Sequence, residues 1–179
     1  MLVDEQLYTL NLRTFGWAEV STIGYCPVGR LGACMNIVDD KLFLFGGMTM
    51  RHTLSPDFLF LDLDARSWMR PKARGEGPSP RESASSTIIG KKIVYFGGMD
   101  GKRLGDLYTF DTSDSAWSKV EIPAHNLRLE RSLHTAVAYK STLFVFGGWS
   151  NASSGHQGKF DVPWVCSNDS FSLNMGSSL

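Results

Sequence analysis

Residues 95–105 read YFGGMDGKRLG, an aromatic run followed by Gly97, Gly98, Gly101 and a lysine. A phosphate-cradling loop has the form G-x-x-x-x-G-K followed by Ser or Thr and opens a helix. Here Lys102 does follow Gly101, but Phe96 stands five positions before that glycine, and Arg103 takes the place of the magnesium-binding hydroxyl. The next segment, LGDLYTFD, alternates like a strand and offers no helix N-terminus to a phosphate. The stretch is a loop between strands.

Its glycines have another origin. The pair recurs in LFLFGG (42–47), IVYFGG (93–98) and LFVFGG (143–148), as Gly46-Gly47, Gly97-Gly98 and Gly147-Gly148. The first glycines are 51 and 50 residues apart, and Arg30, Arg81 and Arg131 precede them by the same 16 residues. Trp17, Trp68 and Trp117 follow a similar period, each after an alternating segment: LYTLNL, FLFLDL and LYTFDT. A further copy, SFSLNM (170–175), has no tryptophan after it. Four features keeping register are an internal repeat, and a period near 50 residues belongs to arrays and propellers.

Each unit reads as four short segments. Small residues follow the arginine, a bulky run ends in Gly-Gly, an alternating run ends near Asp or Asn, and the last carries the tryptophan. Alternation bounded by Gly, Asp, Asn and Lys predicts strands. Four strands per unit predict an all-β fold of kelch-type β-propeller blades, an incomplete ring of about three. The expected units are 1–20 (the end of one blade), 28–73, 80–121 and 130–175, the last without its outer strand. Gly32, Ala33, Ser83, Ala84, Ser85 and Ala136 suit an inner strand crowded against the axis. The glycine pairs are expected to let a large side chain approach, with the recurring tryptophan as that neighbour. Asp62 and Asp111, recurring at the ends of third strands, are expected to close Asx turns. Because the chain starts and stops inside a unit, it is expected to be part of a longer ring, with unpaired edges and exposed blade faces.

Bulk properties narrow the function. Lys+Arg and Asp+Glu both number 18 and no basic run occurs, so direct nucleic-acid binding is not expected. Cys26, Cys34 and Cys166 are three and scattered, against a disulfide scaffold and for a reducing compartment. No basic-then-apolar leader opens the chain and no run approaches a membrane span, so neither secretion nor membrane insertion is expected. The sequons at Asn151 and Asn168 are read as chance matches. His52, His125, His134 and His156 share no ligand spacing, so no metal and no cofactor are expected. Catalysis, whether by a Cys/His pair or by a propeller oxidase, has little support, and the chain is read as no enzyme.

Antiparallel strands sort the loops by face. First-to-second and third-to-fourth turns share one face and are short. Second-to-third loops and blade links share the other and are long, which is where binding usually resides. The partner-binding candidates on that face are Arg30, Arg81, Glu82, Met99, Arg103, Arg131, Ser132, His134 and Trp149. Arginines there suit a carboxylate on a peptide. Repetition of Arg30, Arg81 and Arg131 in every blade favours a backbone-holding role for those three. Glu82, Arg103 and Trp149 are unrepeated and better suited to specificity.

The stretches PRESASSTIIGKKIVYFGGMDGKRLGDLYTFD and RSLHTAVAYKSTLFVFGGW resemble the kelch domain of host cell factor proteins, as does PWVCSNDSFSLN. GRLGACMNIVDDKLFLFGGM is a weaker match, with Ala33 where the family has His. The resemblance implies a non-catalytic scaffold of a nuclear transcriptional co-regulator. It implies binding to short motifs of an acidic residue, His, any residue and Tyr in transcription and chromatin-modifying partners. A cytoplasmic kelch adaptor for trafficking or ubiquitin ligases is the alternative.

Overall fold

The structure, a computed structural model, describes residues 6–122, 128–151 and 164–176. Expectations touching the remaining positions, among them His125, His156 and parts of the 121–131 link and the 149–168 loop, lie outside the described residues. The fold is all-β, built from kelch-type propeller blades in an incomplete ring.

A hairpin comes first, β1 (Leu7–Leu10) and β2 (Trp17–Val20). The next blade contains β3 (Cys34–Val38), β4 (Lys41–Phe45), β5 (Phe58–Asp62) and β6 (Ser67–Met69). Its successor contains β7 (Ser85–Ile89), β8 (Lys92–Phe96), β9 (Leu107–Asp111) and β10 (Ala116–Val120). A third sheet holds β11 (Thr135–Tyr139), β12 (Thr142–Phe146) and β13 (Ser170–Asn174). Within each sheet these strands pair antiparallel in sequence order. Period-2 alternation therefore gives every blade two working faces.

Those faces make the core. Phe43 and Phe45 of β4, with Phe58 and Phe60, pack against Ile93, Tyr95, Phe110 and Trp117 of the next blade. Phe96 and Leu107 do the same toward Leu143, Val145 and Phe171. Each full aromatic or aliphatic burial of this kind stabilises by about 1.5–3 kcal/mol, so blade stacking rather than any one sheet holds the chain together. On β12, Phe144 and Phe146 occupy the positions of Phe43 and Phe45, yet they are 45% and 56% exposed. That face has no blade against it among the described residues.

Turn chemistry follows the third-strand ends as expected. Asp62 Oδ1 accepts the N–H of Ala65 at 2.9 Å, and Asp111 Oδ1 accepts that of Ser113 at 2.9 Å. Asn11 and Asn174 close the equivalent turns.

The tryptophan expectation is corrected. Among the described residues, the nearest neighbours of the glycine pairs include no tryptophan. Gly98 donates its N–H to the carbonyl of Arg131 at 2.8 Å, and Gly47 donates to Arg81 at 2.8 Å. A Cβ on Gly97, whose φ is +64°, would lie 2.7 Å from the Arg131 oxygen. The close neighbour is thus the backbone of the following blade, which no side chain can replace. Trp68 and Trp117 are buried elsewhere, the latter with its ring among Phe45, Phe58, Tyr95 and Phe110. Trp17 departs from the pattern and is 70% exposed, since its sheet has only two strands among the described residues.

Candidate docking cleft

The repeated arginines hold the blades. Arg81 Nη1 donates to the Gly97 carbonyl at 3.0 Å, and its guanidinium forks onto both oxygens of Asp106. Arg30 donates to the Gly46 carbonyl at 3.3 Å and to Asp57 Oδ2 at 3.0 Å. Arg131 reaches the Gly147 carbonyl at 2.9 Å and the Arg128 carbonyl at 2.7 Å, with Phe171 under its guanidinium. Burial pulls the Arg131 guanidinium below its ordinary value, offset by the charges of Asp169 and Glu130. All three guanidiniums point into the scaffold, which supports the backbone-holding role.

Sequence reasoning missed the acidic partners. Asp57, Asp106 and Asp169 each stand immediately before a third strand, and each carbonyl accepts the N–H of the first glycine of the pair. A count from the strand start, not from the arginine, would have found them.

Above this lattice the blades are joined at the axis by a backbone staircase. Ser83 donates its N–H to the Gly32 carbonyl at 2.8 Å, and Leu133 donates to Ser83 at 3.0 Å. Gly32, Ser83 and Leu133 have φ of +66°, +54° and +56°. For serine and leucine this left-handed backbone costs of order 1 kcal/mol or more and persists only where the surroundings impose it. Leu133 is held this way with 63% of its surface exposed.

The staircase lines one side of a cleft of about 550 Å³, formed by Leu31, Glu82, Ser83, Met99, Gly101, Lys102, Arg103, Ser132, Leu133 and Trp149. Three blades contribute. Glu82 and Met99 exchange backbone hydrogen bonds of 3.0 and 2.8 Å, which ties the YFGGMDGKRLG loop to the second blade's entry. Ser132 pairs with Trp149 in a short ladder of Arg131–Ser132 with Trp149–Asn151. The guanidinium of Arg103 lies 5.9 Å from the Trp149 ring centre, a cation–π arrangement. Burial raises the Glu82 carboxyl above the usual carboxylate value.

Of the nine residues nominated from sequence, Glu82, Met99, Arg103, Ser132 and Trp149 converge here. Arg30, Arg81, Arg131 and His134 do not line the cleft. Leu31, Lys102 and Leu133 were missed; single apolar or lysine residues carry no motif, and only the staircase brings them together.

His134 sits between blades instead. Its Nε2 is 2.7 Å from Ser85 Oγ, and its ring lies edge-on to Phe96. A Ser–His contact invites a nucleophile reading. Here burial, followed by the charge of Arg131, lowers the imidazole to about 4, a weak base at neutral pH, and no described side chain orients its Nδ1. The pair acts as an interblade link.

Cys34 is also internal. Its thiol donates to the Ala84 carbonyl at 3.4 Å, and burial pushes it up to about 11. Cys26 and Cys166 are exposed. Native maleimide labelling read by intact mass is therefore expected to modify these two, with Cys34 reacting only in denaturant. Labelling of Cys34 in the native chain as fast as the others would contradict its placement. No helix among the described residues is long and apolar enough to cross a membrane.

Comparison with known proteins agrees with the repeat. The family model for the KLHDC2/KLHL20/DRC7 Kelch-repeats domain matches residues 2–177. Host cell factor 2 of Homo sapiens is similar, at 32% identity over 199 residues, covering 98% of this chain and 25% of that protein. Host cell factor of Drosophila melanogaster is 31% identical over 189 residues, covering 92% of this chain and 12% of the relative. Acyl-CoA-binding domain-containing protein 4 of Arabidopsis thaliana is 28% identical over 156 residues, covering 85% and 23%. The chain thus spans a quarter or less of the length of these relatives.

Proposed function

The chain belongs to the kelch-repeat family of β-propellers, and from that premise we propose that it is a non-catalytic docking module for short peptide segments of partner proteins. The observation that carries this reading is the convergence of five sequence-nominated residues, drawn from separate repeats, on one cleft. The cleft combines apolar Leu31, Met99, Leu133 and Trp149 with charged Glu82, Lys102 and Arg103. Aromatic and arginine residues at the centre of a concave site are the usual carriers of binding energy.

The similarity to host cell factors supports a finer version of the proposal. The partner segments are motifs of an acidic residue, His, any residue and Tyr, carried by transcription and chromatin-modifying proteins, and the module works in the nucleus. Lys102 and Arg103 give the acidic residue a counter-charge, and Trp149 gives the tyrosine a ring to pack on.

Fluorescence anisotropy with labelled motif peptides tests this. The chain is expected to bind the motif peptide and to lose it when the peptide histidine is alanine. Trp149→Ala is expected to weaken binding by about 30-fold, the effect of an anchor contact near 2 kcal/mol. Equal binding of the motif peptide and its His→Ala control would overturn the finer version. No binding of any motif peptide would overturn the docking proposal at this cleft.

A further inference from the structure

The described fold holds two incomplete blades, and each has what the other lacks. β1 and β2 form a two-stranded sheet, while the sheet of β11, β12 and β13 has no fourth strand among the described residues. In the repeat, β1 and β2 are third and fourth strands. Asn11 closes the turn that Asp62 and Asp111 close elsewhere, and Trp17 takes the place of Trp68 and Trp117. Those two tryptophans are 5% and 8% exposed, against 70% for Trp17. Where inner strands would cover it, a cavity of about 480 Å³ opens beside the next blade, lined by Leu7, Ala33, Met35, Leu44 and Trp68. The third sheet has the opposite deficit. Val137 and Tyr139 of β11 share one face with Phe144 and Phe146 of β12, and these four are between 45% and 66% exposed. A contiguous apolar face of this kind marks an interaction surface.

We propose that a second copy of this chain completes both halves by exchanging its first hairpin. β1 of one copy pairs with β12 of the other, along the edge that β13 holds in the single chain, and β2 follows as the fourth strand. The exchange is conservative, because β1 and β13 are copies of one repeat element. Leu7–Leu10 with Asn11 and Leu12 corresponds to Ser170–Asn174 with Met175. Leu12 is 76% exposed and takes the position of Met175, which is 2% exposed. Tyr8 replaces Phe171 under the Arg131 guanidinium, as Tyr108 lies under that of Arg81. Ladder hydrogen bonds given up with β13 are remade with β1, so the net gain is apolar burial. Trp17 enters a complete blade. Phe144 and Phe146 seat against Leu42 and Leu44, the counterparts of Ile93 and Tyr95, as Phe43 and Phe45 do within one chain.

The occupant is a second copy because each contact it needs continues an interface already present between neighbouring blades. Each copy brings two complete blades and half of two others, so a reciprocal exchange closes a ring of six. That lies within the roughly 4–8 blades of closed propellers, and a third copy would exceed it. The two interfaces are then related by a two-fold axis, the commonest oligomeric symmetry. The docking cleft is built within one copy, so this inference does not rest on the peptide-binding function.

The test is size-exclusion chromatography with light scattering across a dilution series. At about 50 µM the chain is expected to run at twice its 19.8 kDa, falling toward a single chain on dilution. Tryptophan emission is expected to shift to shorter wavelength as the dimer forms, and Trp17→Phe to lose most of that shift. Phe146→Asp and Trp17→Ala alter exposed positions, so the diluted single chain should keep its urea midpoint. Both are nonetheless expected to weaken dimerisation by about 30-fold. Leu173→Ser acts the other way. It loosens β13, which only the single chain uses, so the dimer is expected at about 10-fold lower concentration. A single-chain mass at every concentration up to about 100 µM would overturn the proposal and leave the Phe144 and Phe146 face to a different occupant. A dimer unaffected by Phe146→Asp and Trp17→Ala would also overturn it. So would a dimer that Leu173→Ser weakens, because β13 would then have stayed in place.

Discussion

Arg81→Ala is expected to lower the unfolding free energy by about 3–5 kcal/mol, the range found when one member of a buried ion pair is removed. The Arg81 side chain is 2% exposed and donates to five acceptors at once: both carboxylate oxygens of Asp106, the Gly97 carbonyl, and the carbonyl and hydroxyl of Ser79. Truncation strands Asp106, whose main-chain carbonyl also anchors Gly97. It loosens the point where Gly98 latches onto the next blade. Arg81→Lys is expected to recover little, because a point charge cannot fork onto a carboxylate and reach a carbonyl together. The contrast is Arg74→Ala. Arg74 also pairs with a carboxylate, Asp114 at 2.9 Å, but both side chains are more than half exposed, so its removal should shift stability by under about 1 kcal/mol. Urea unfolding of the three variants measures this directly. Similar midpoints for Arg81→Ala and Arg74→Ala would refute the role assigned to the arginine lattice.

How much of this was legible beforehand depends on whether a feature is periodic. Gly46, Gly97 and Gly147 and their arginines recur at a fixed 16-residue offset because they are joined by one hydrogen bond inside one blade. The strands and Asx turns were readable for the same reason. Arg30 to Asp57 spans 27 residues and Arg81 to Asp106 spans 25, because the variable loop lies between them, and the period was blurred. The tryptophan expectation failed differently. Gly-Gly and Trp share a period without sharing a contact, and repetition by itself carries no distance. The cleft uses equivalent positions with unlike side chains: Leu31, Glu82 and Ser132 each follow a repeated arginine, and Met99 and Trp149 each follow a glycine pair, so periodicity marks the positions but not their chemistry. What sequence could supply was the face on which variable loops gather, and that was enough to nominate half of the lining.

His134 supplies the second large effect. Its folded-state value near 4 lies below the ordinary 6.5, because burial and then Arg131 oppose the charged ring. Between those values the unfolded chain binds more protons than the folded one, so stability rises with pH across the window and is lost as pH falls. The full shift corresponds to about 3 kcal/mol, of which about 2 should be gone by pH 5. Glu82 works in the opposite sense. Its carboxyl is raised, so the folded chain is favoured as that group protonates, and the raw pH curve understates His134. The difference between wild type and His134→Gln removes the Glu82 contribution. Glutamine is neutral throughout, so its urea midpoint should fall less between about pH 7.5 and pH 5 than that of wild type. The two chains should converge at the acidic end even if glutamine is the weaker partner for Ser85 at neutral pH. Parallel curves would mean that His134 binds protons equally in the folded and unfolded chain, so that neither burial nor Arg131 opposes its charged form. An NMR titration of the ring carbons discriminates the two cases, and a midpoint near 6.5 would overturn the buried, neutral link between the second and third blades.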